Sequence, residues 1–229
     1  RGSGAHVEQE FGVLADLPPI RLALDVGGNW GQSVEAMRYY GRPEKIITFE
    51  PNPPLARRLQ EVHGGDPQVE VNPFGLAERE SDMTLYVPSY RGFVFDGLTS
   101  FDPDSHKSWL CSVRIMGFSP HHVSVEKTVV HTHRLDDLNL APDVVKLDVQ
   151  GYEQNVLEGG ARTFARCRPF TILEDPSPAC VSFFAGLGMS SYVMHGNVLK
   201  EGETRHLNTL FLSAEHIATL LATGNWQVG

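Results

Sequence analysis

The chain has 229 residues, 41% of them apolar and 21% charged, enough for one large domain or two small ones. Its formal net charge is −9 at pH 7 and no basic patch stands out, which argues against nucleic acid as a partner. No apolar run reaches membrane length, and Cys111, Cys167 and Cys180 form no Cys-x-x-Cys pair, so the expectation is a reduced, cytoplasmic protein with no membrane partner and no zinc site.

The chain opens Arg1-Gly2-Ser3-Gly4 without methionine, which leaves targeting signals upstream an open matter. Residues 5–21 read as a short segment covering a sheet. The first patterned stretch is Leu22-Ala23-Leu24-Asp25-Val26, followed by Gly27-Gly28-Asn29-Trp30-Gly31. A continuous apolar run closed by glycines reads as a buried parallel strand. Val34, Met37 and Tyr40 then fall at helical spacing. Strand, glycine turn and helix make the corner at which α/β sheets bind phosphates or cofactors, because glycine lets the backbone approach a ligand. The dinucleotide fingerprint needs glycines at relative positions one, three and six. From Gly27 those positions hold Gly27, Asn29 and Gln32, which speaks against a nicotinamide-dependent dehydrogenase.

Ile46-Ile47-Thr48-Phe49-Glu50 predicts a second strand. Pro51-Asn52-Pro53-Pro54 opens a helix whose buried stripe is Leu55, Leu59 and Val62 and which ends at Gly64-Gly65. Glu50 sits 23 positions after Gly27, at a strand end, where an acid can accept both hydroxyl hydrogens of a ribose. The alternative is a solvated strand-end glutamate. Val69-Glu70-Val71 is a third strand. In the loop after it, Phe74 or Leu76 lines an adenine slot or else belongs to the core. Met83 to Val87 alternates like a half-buried strand. Residues 88–122 break the rhythm and are rich in aromatics, among them Tyr90, Phe93, Phe95, Phe101, Trp109 and Phe118. A long irregular segment of this composition is expected to be an acceptor-binding insertion, the alternative being a packed surface insertion. A strand resumes over His121 to Val129, and Arg134 to Leu138 leads away from it. Val144 to Asp148 is another buried strand ending in an acid. Tyr152, Val156 and Leu157 form the stripe of the next helix, stopped at Gly159-Gly160. Phe170 to Asp175 is a fifth parallel strand, and Pro176 ends it. Tyr192 to His195 and Thr209 to Leu212 read as a hairpin closing the sheet edge, and Ile217, Leu220 and Leu221 mark a last helix. No repeat or linker divides the chain, so residues 1–229 are expected to form a single domain.

Three stretches in order now carry a resemblance. Asp25-x-Gly27-x-Asn29-x-Gly31 is similar to the opening motif of S-adenosylmethionine-dependent methyltransferases. Phe49-Glu50-Pro51-Asn52-Pro53 is similar to their second motif. Lys146-Leu147-Asp148-Val149-Gln150-Gly151-Tyr152 through Gly159-Gly160 is similar to the third. Together with Arg134-Leu135-Asp136-Asp137-Leu138, the set resembles the FkbM-type family from about Leu22 to Leu212. The resemblance implies an α/β fold: a Rossmann-like seven-stranded methyltransferase sheet, the last strand antiparallel, with helices on both faces. It implies S-adenosylmethionine as cofactor and methyl transfer to a hydroxyl of a sugar or other secondary metabolite. The cofactor-binding residues it points to are Asp25, Gly27, Asn29, Trp30, Gly31, Glu50, Asn52, Leu76 and Asp148. Gln150 departs from the family, which commonly has glutamate there, so any role of that carboxylate is lost.

A hydroxyl acceptor is a poor nucleophile until it loses its proton, so it needs a base or a metal. Asp148, at a strand end where the crevice opens, is the candidate catalytic carboxylate; a helix N-cap is its alternative. His121, His122, His195 and His206 are further possible bases that no spacing separates. Asp148, Glu174 and Asp175 end two neighbouring strands and form a candidate Mg²⁺ set of hard oxygen ligands. A degenerate methyltransferase fold acting as a binding module is the non-enzymatic rival.

Overall fold

The computed structural model describes residues 9–202, 204 and 208–229. In chain order the elements are β1 (Leu22–Val26), α1 (Gln32–Tyr40), β2 (Lys45–Phe49), α2 (Pro53–His63), β3 (Val69–Asn72), β4 (Gly75–Leu76), β5 (Ser81–Tyr90), β6 (Phe93–Val94) and β7 (Val123–His133). There follow β8 (Val144–Leu147), α3 (Glu153–Gly159), α4 (Ala161–Cys167), β9 (Phe170–Glu174), α5 (Pro178–Gly186), β10 (Met189–His195), β11 (Val198–Glu201), β12 (Asn208–Ser213), α6 (Ala214–Ala222) and β13 (Gln227–Val228). Short 3₁₀ turns precede β1 over Gln9–Asp16 and punctuate the stretch between β6 and β8.

The main sheet has nine strands in the order β13-β11-β10-β12-β9-β8-β1-β2-β3, not seven. The central strands β9, β8, β1, β2 and β3 are parallel, and β12 runs antiparallel between β9 and β10. The two extra strands, β11 and β13, extend the edge beyond β10. The two strands expected to close the edge, β10 and β12, do pair antiparallel, but they do not form the edge. The tight hairpin is β10–β11, turning at Gly196 with φ 62, while β12 returns to the inner side of β10 and is buried along its whole length.

Alternation along the strands splits the core into two layers. Ala23, Ile46, Val144 and Ile172 join Val34 and Met37 of α1, Phe11 of the leading 3₁₀ turn and Leu220 of α6 on one face. Leu24, Ile47, Val145 and Leu173 join Val156, Leu157, Phe164 and Phe184 of α3, α4 and α5 on the other. In α2 the buried stripe runs Leu55, Leu59, His63, while Val62 is 54% exposed. Positions i, i+4 and i+8 face the sheet, and i+7 has rotated out.

A second, four-stranded sheet has the order β4-β7-β5-β6. It is dominated by the long antiparallel pair β5–β7, from Ser81 opposite Thr132 to Tyr90 opposite Val123. The stretch between these strands folds back, with Ser100 bridging to Tyr86, and so lies against the carboxyl ends of the parallel strands.

Candidate active site

A row of polar side chains is buried inside the apolar sheet, one level below the glycine turn. Asp25 on β1 lies in register with Thr48 on β2 and Lys146 on β8, and all three are at most 1% exposed. Thr48 Oγ1 donates to Asp25 Oδ2 at 2.9 Å. The turn rests directly on this row. A Cβ at Gly28 would overlap Thr48 Oγ1, and one at Gly27, whose φ is +91, would overlap the carbonyl oxygen of Asp148. Burial raises the Asp25 carboxyl to about 7, against the hydrogen bond from Thr48 and the attraction of Lys146.

Lys146 and Asp148 are two apart on an extended chain and point to the same side. The Lys146 ammonium stands 3.6 Å from Asp148 Oδ2, and Gln150 Nε2 donates to Asp148 Oδ1 at 2.7 Å. Burial pushes the Asp148 carboxyl up, but Lys146, a hydrogen bond with Glu174 and the Gln150 amide together hold it below its ordinary range. A hydrogen bond between two carboxyls requires one proton shared between them.

Glu50 follows β2. Its Oε2 accepts the Asn29 backbone N–H at 2.7 Å and its Oε1 accepts that of Asn52 at 2.8 Å. Burial raises Glu50 to about 7 in spite of these two donors. Each carboxylate oxygen keeps a lone pair for a further donor. Asn29 Oδ1 is also buried and has no hydrogen-bond partner among the described residues.

Two cavities open over these groups. One of about 240 Å³ is lined by Gly27, Asn29, Glu50, Leu76, Phe101 and Asp148, among others. A neighbouring one of about 740 Å³ is lined by Asp102, Ser105, Ser108, Trp109 and Arg114 of the long segment. Gly97, Asp148, Gln150 and Glu174 line both, so they form the wall between them. The segment is held over the crevice by Ser100 Oγ, which donates to the Gln150 carbonyl at 2.8 Å, and by Phe101 against Tyr152 at 5.1 Å between ring centroids.

Of the residues expected at the cofactor, the structure gathers Gly27, Asn29, Glu50, Leu76 and Asp148 around the smaller cavity. Asn52 reaches it only through its N–H on Glu50. Asp25 lies beneath the turn. Trp30 is 54% exposed and donates Nε1–H to Asp96 at 3.2 Å, and Gly31 faces Leu59 and His63, so neither lines this cavity. Phe74 packs between Phe49 and His133, outside the cavity lining. Asp148 is not a helix cap: Tyr152 occupies that position of α3, and Ser177 caps α5. His121, His122 and His195 line neither cavity, and His206 lies outside the described residues. Asp148, Glu174 and Asp175 do not bring three ligand atoms within 4.8 Å of one another; among the described residues only Glu80, His131 and His133 do. The cation beside Asp148 is Lys146.

Lys146 and Ser100 were not singled out by the sequence, and Gln150 was marked only for the carboxylate it lacks. A lysine inside a buried strand must be paired, and the acid two positions later on the same face was the available signal for Lys146.

The family model of the FkbM methyltransferase domain matches residues 25–199. The chain is 26% identical over 174 residues to the 2-O-methyltransferase NoeI of Sinorhizobium fredii, covering 72% of this chain and 68% of that protein. It is 38% identical over 87 residues to the AMB antimetabolite synthetase AmbE of Pseudomonas aeruginosa, covering 37% of this chain but only 4% of that protein. The methyltransferase FkbM structure from Methylobacillus flagellatus superposes with a TM-score of 0.52 at 13% identity, over 84% of this chain and 43% of that one, a likeness of fold.

Proposed function

The chain belongs to the FkbM methyltransferase family, and from that premise we propose that it is an S-adenosylmethionine-dependent O-methyltransferase acting on a hydroxyl of a sugar or other small secondary metabolite. The observation that carries this reading is the shared wall. Asp148, Gln150 and Glu174 separate a cavity floored by the glycine turn and Glu50 from a larger, polar-lined one under the long segment. A transfer between two bound molecules needs two sites that meet, with the reacting atoms about 3–3.5 Å apart, and the residues that border both cavities mark where they adjoin. The 2-O-methyltransferase relative supports oxygen as the acceptor atom.

The residues at the smaller cavity fit the cofactor. Glu50 offers a buried pair of acceptor oxygens for the ribose hydroxyls, and the unpartnered Asn29 Oδ1 offers an acceptor for the ammonium hydrogens of its methionine part. Gly27 and Gly28 keep the floor open by having no side chain. When bound, the cofactor supplies an electrophilic methyl group on a sulfonium. Asp148, held ionised by Lys146 and Gln150, orients the acceptor hydroxyl by accepting its hydrogen and takes its proton as the new carbon–oxygen bond forms. Trp109 and Arg114 of the long segment cover the acceptor and limit water access. Because Lys146 already supplies positive charge beside Asp148, no metal step is assigned there.

The test is incubation with methyl-labelled S-adenosylmethionine and a panel of polyhydroxylated small molecules. The reading expects label in an alkali-stable ether, lost in Asp148→Asn. Label in an amine or carbon product, or full turnover by Asp148→Asn, would overturn it.

A further inference from the structure

At one end of the second sheet, Glu80, His131 and His133, none of which lines either cavity, bring three potential ligand atoms within 4.8 Å of one another. β5 and β7 run antiparallel, and Asp82 pairs with His131. Extending that register puts Glu80 opposite His133, so two imidazoles on one strand face two carboxylates on the next. His131 and His133 are two apart and share a face. Their ring centroids are 4.6 Å apart. His131 Nε2 stands 3.4 Å from Glu80 Oε1, and His133 Nδ1 stands 3.9 Å from Glu80 Oε2.

From these positions we propose that Glu80, His131 and His133 form a binding site for a borderline divalent cation of the zinc class. Two metal–ligand bonds of about 2.0–2.1 Å at a tetrahedral angle place their ligand atoms about 3.3–3.4 Å apart; the His131–Glu80 pair stands at 3.4 Å, and all three donors lie within 4.8 Å of one another, so a small side-chain adjustment closes the set. Two imidazoles and one carboxylate leave a fourth position for water, and imidazole suits zinc, nickel or copper over magnesium. Both rings already have orienting partners. His131 Nδ1 hydrogen-bonds Asp82 at 2.9 Å, which turns Nε2 toward Glu80, and His133 packs edge-on against Phe74 at 4.4 Å. A carboxylate behind a ligating histidine fixes its tautomer. An ordinary cross-strand ion pair would be complete with His131 and Asp82. It leaves unexplained the second imidazole, whose distance to Glu80 is too long for a hydrogen bond. A bound ion would join β5 to β7 next to Leu76, which pairs with His133 and lines the smaller cavity. The cysteine pattern gave no hint of this site, because it uses none.

The experiment is equilibrium dialysis of the full chain, free of any affinity tag, against Zn²⁺ near neutral pH, followed by metal analysis and thermal melts. We expect one equivalent of zinc and a raised melting temperature. His131→Ala and Glu80→Gln should each lower the affinity by about 10-fold or more and remove the thermal shift, while Cys111→Ser leaves both unchanged. These side chains are at the surface or near it, and circular dichroism of the variants verifies their fold. Uptake well below one equivalent by the wild-type chain, or uptake that survives in both ligand variants, overturns the proposal.

Discussion

Glu50 and Asp25 are the residues at which burial and charge conflict most sharply. Each is a carboxyl raised to about 7, from ordinary values of 4.5 and 3.8, chiefly because burial strips it of water. A raised value means that the folded chain holds the proton more tightly than the unfolded one. The resulting stabilisation is full below the unfolded value and is lost as pH rises through about 7. The ligand-free protein should therefore lose stability between about pH 5 and 7. For Glu50 the displacement is worth about 3 kcal/mol. Denaturant melts of Glu50→Gln across this range should show a flatter profile than wild type; an identical slope would mean that Glu50 is already ionised and solvated. This residue's placement was legible in the sequence, because an acid at a strand end after a glycine turn has few other uses. The cost of putting it there was not, because that depends on the backbone donors and on the segment that closes over it.

At the scale of elements, the buried polar row across β2, β1 and β8 couples the turn to the acceptor side. Lys146 is its cation, standing between Asp25 in the next strand and Asp148 two residues on. Lys146→Met should cost about 3–5 kcal/mol near pH 8, because it leaves a buried carboxylate uncompensated. The loss should shrink at acid pH as the carboxyls protonate. Adding Asp148→Asn should recover part of it, and a double-mutant cycle by chemical denaturation measures how much. Strict additivity of the two substitutions would show that the pair does not interact. The strands themselves were readable from sequence, since Leu22 to Val26 and Val144 to Leu147 are nearly continuous apolar runs of the parallel-sheet kind. The antiparallel pairing of β10 with β12 was readable, but their place inside β11 and β13 was not. Both strands are apolar and flank the same glycines, and only packing decides which other neighbour each takes.

On the scale of the whole molecule, a nine-stranded sheet presents its carboxyl ends to a segment that the second sheet anchors by β5 and β7. That segment serves both cavities, and its composition could not divide the labour. Residues 96 and 99–101 contribute to the smaller cavity, residues 98, 102, 105, 108, 109 and 114 to the larger, and Gly97 to both. Replacing only residues 102–118 by a short Gly/Ser connection should leave cofactor affinity within about 3-fold and abolish methyl transfer, since it removes acceptor contacts alone. Loss of cofactor binding in a folded replacement would make this stretch a cofactor lid. The second sheet went unrecognised in the sequence because its strands are separated by the irregular segment itself, and half-buried alternation does not name a partner strand. The account as a whole rests on the smaller cavity taking S-adenosylmethionine, and calorimetric titration of S-adenosylhomocysteine into the wild-type chain and Glu50→Ala tests this most directly. It predicts one-to-one binding by wild type, weakened in the variant by about 1.5–3 kcal/mol, or roughly 10- to 150-fold. No binding by the folded wild-type chain, or equal affinity in the folded variant, would contradict it.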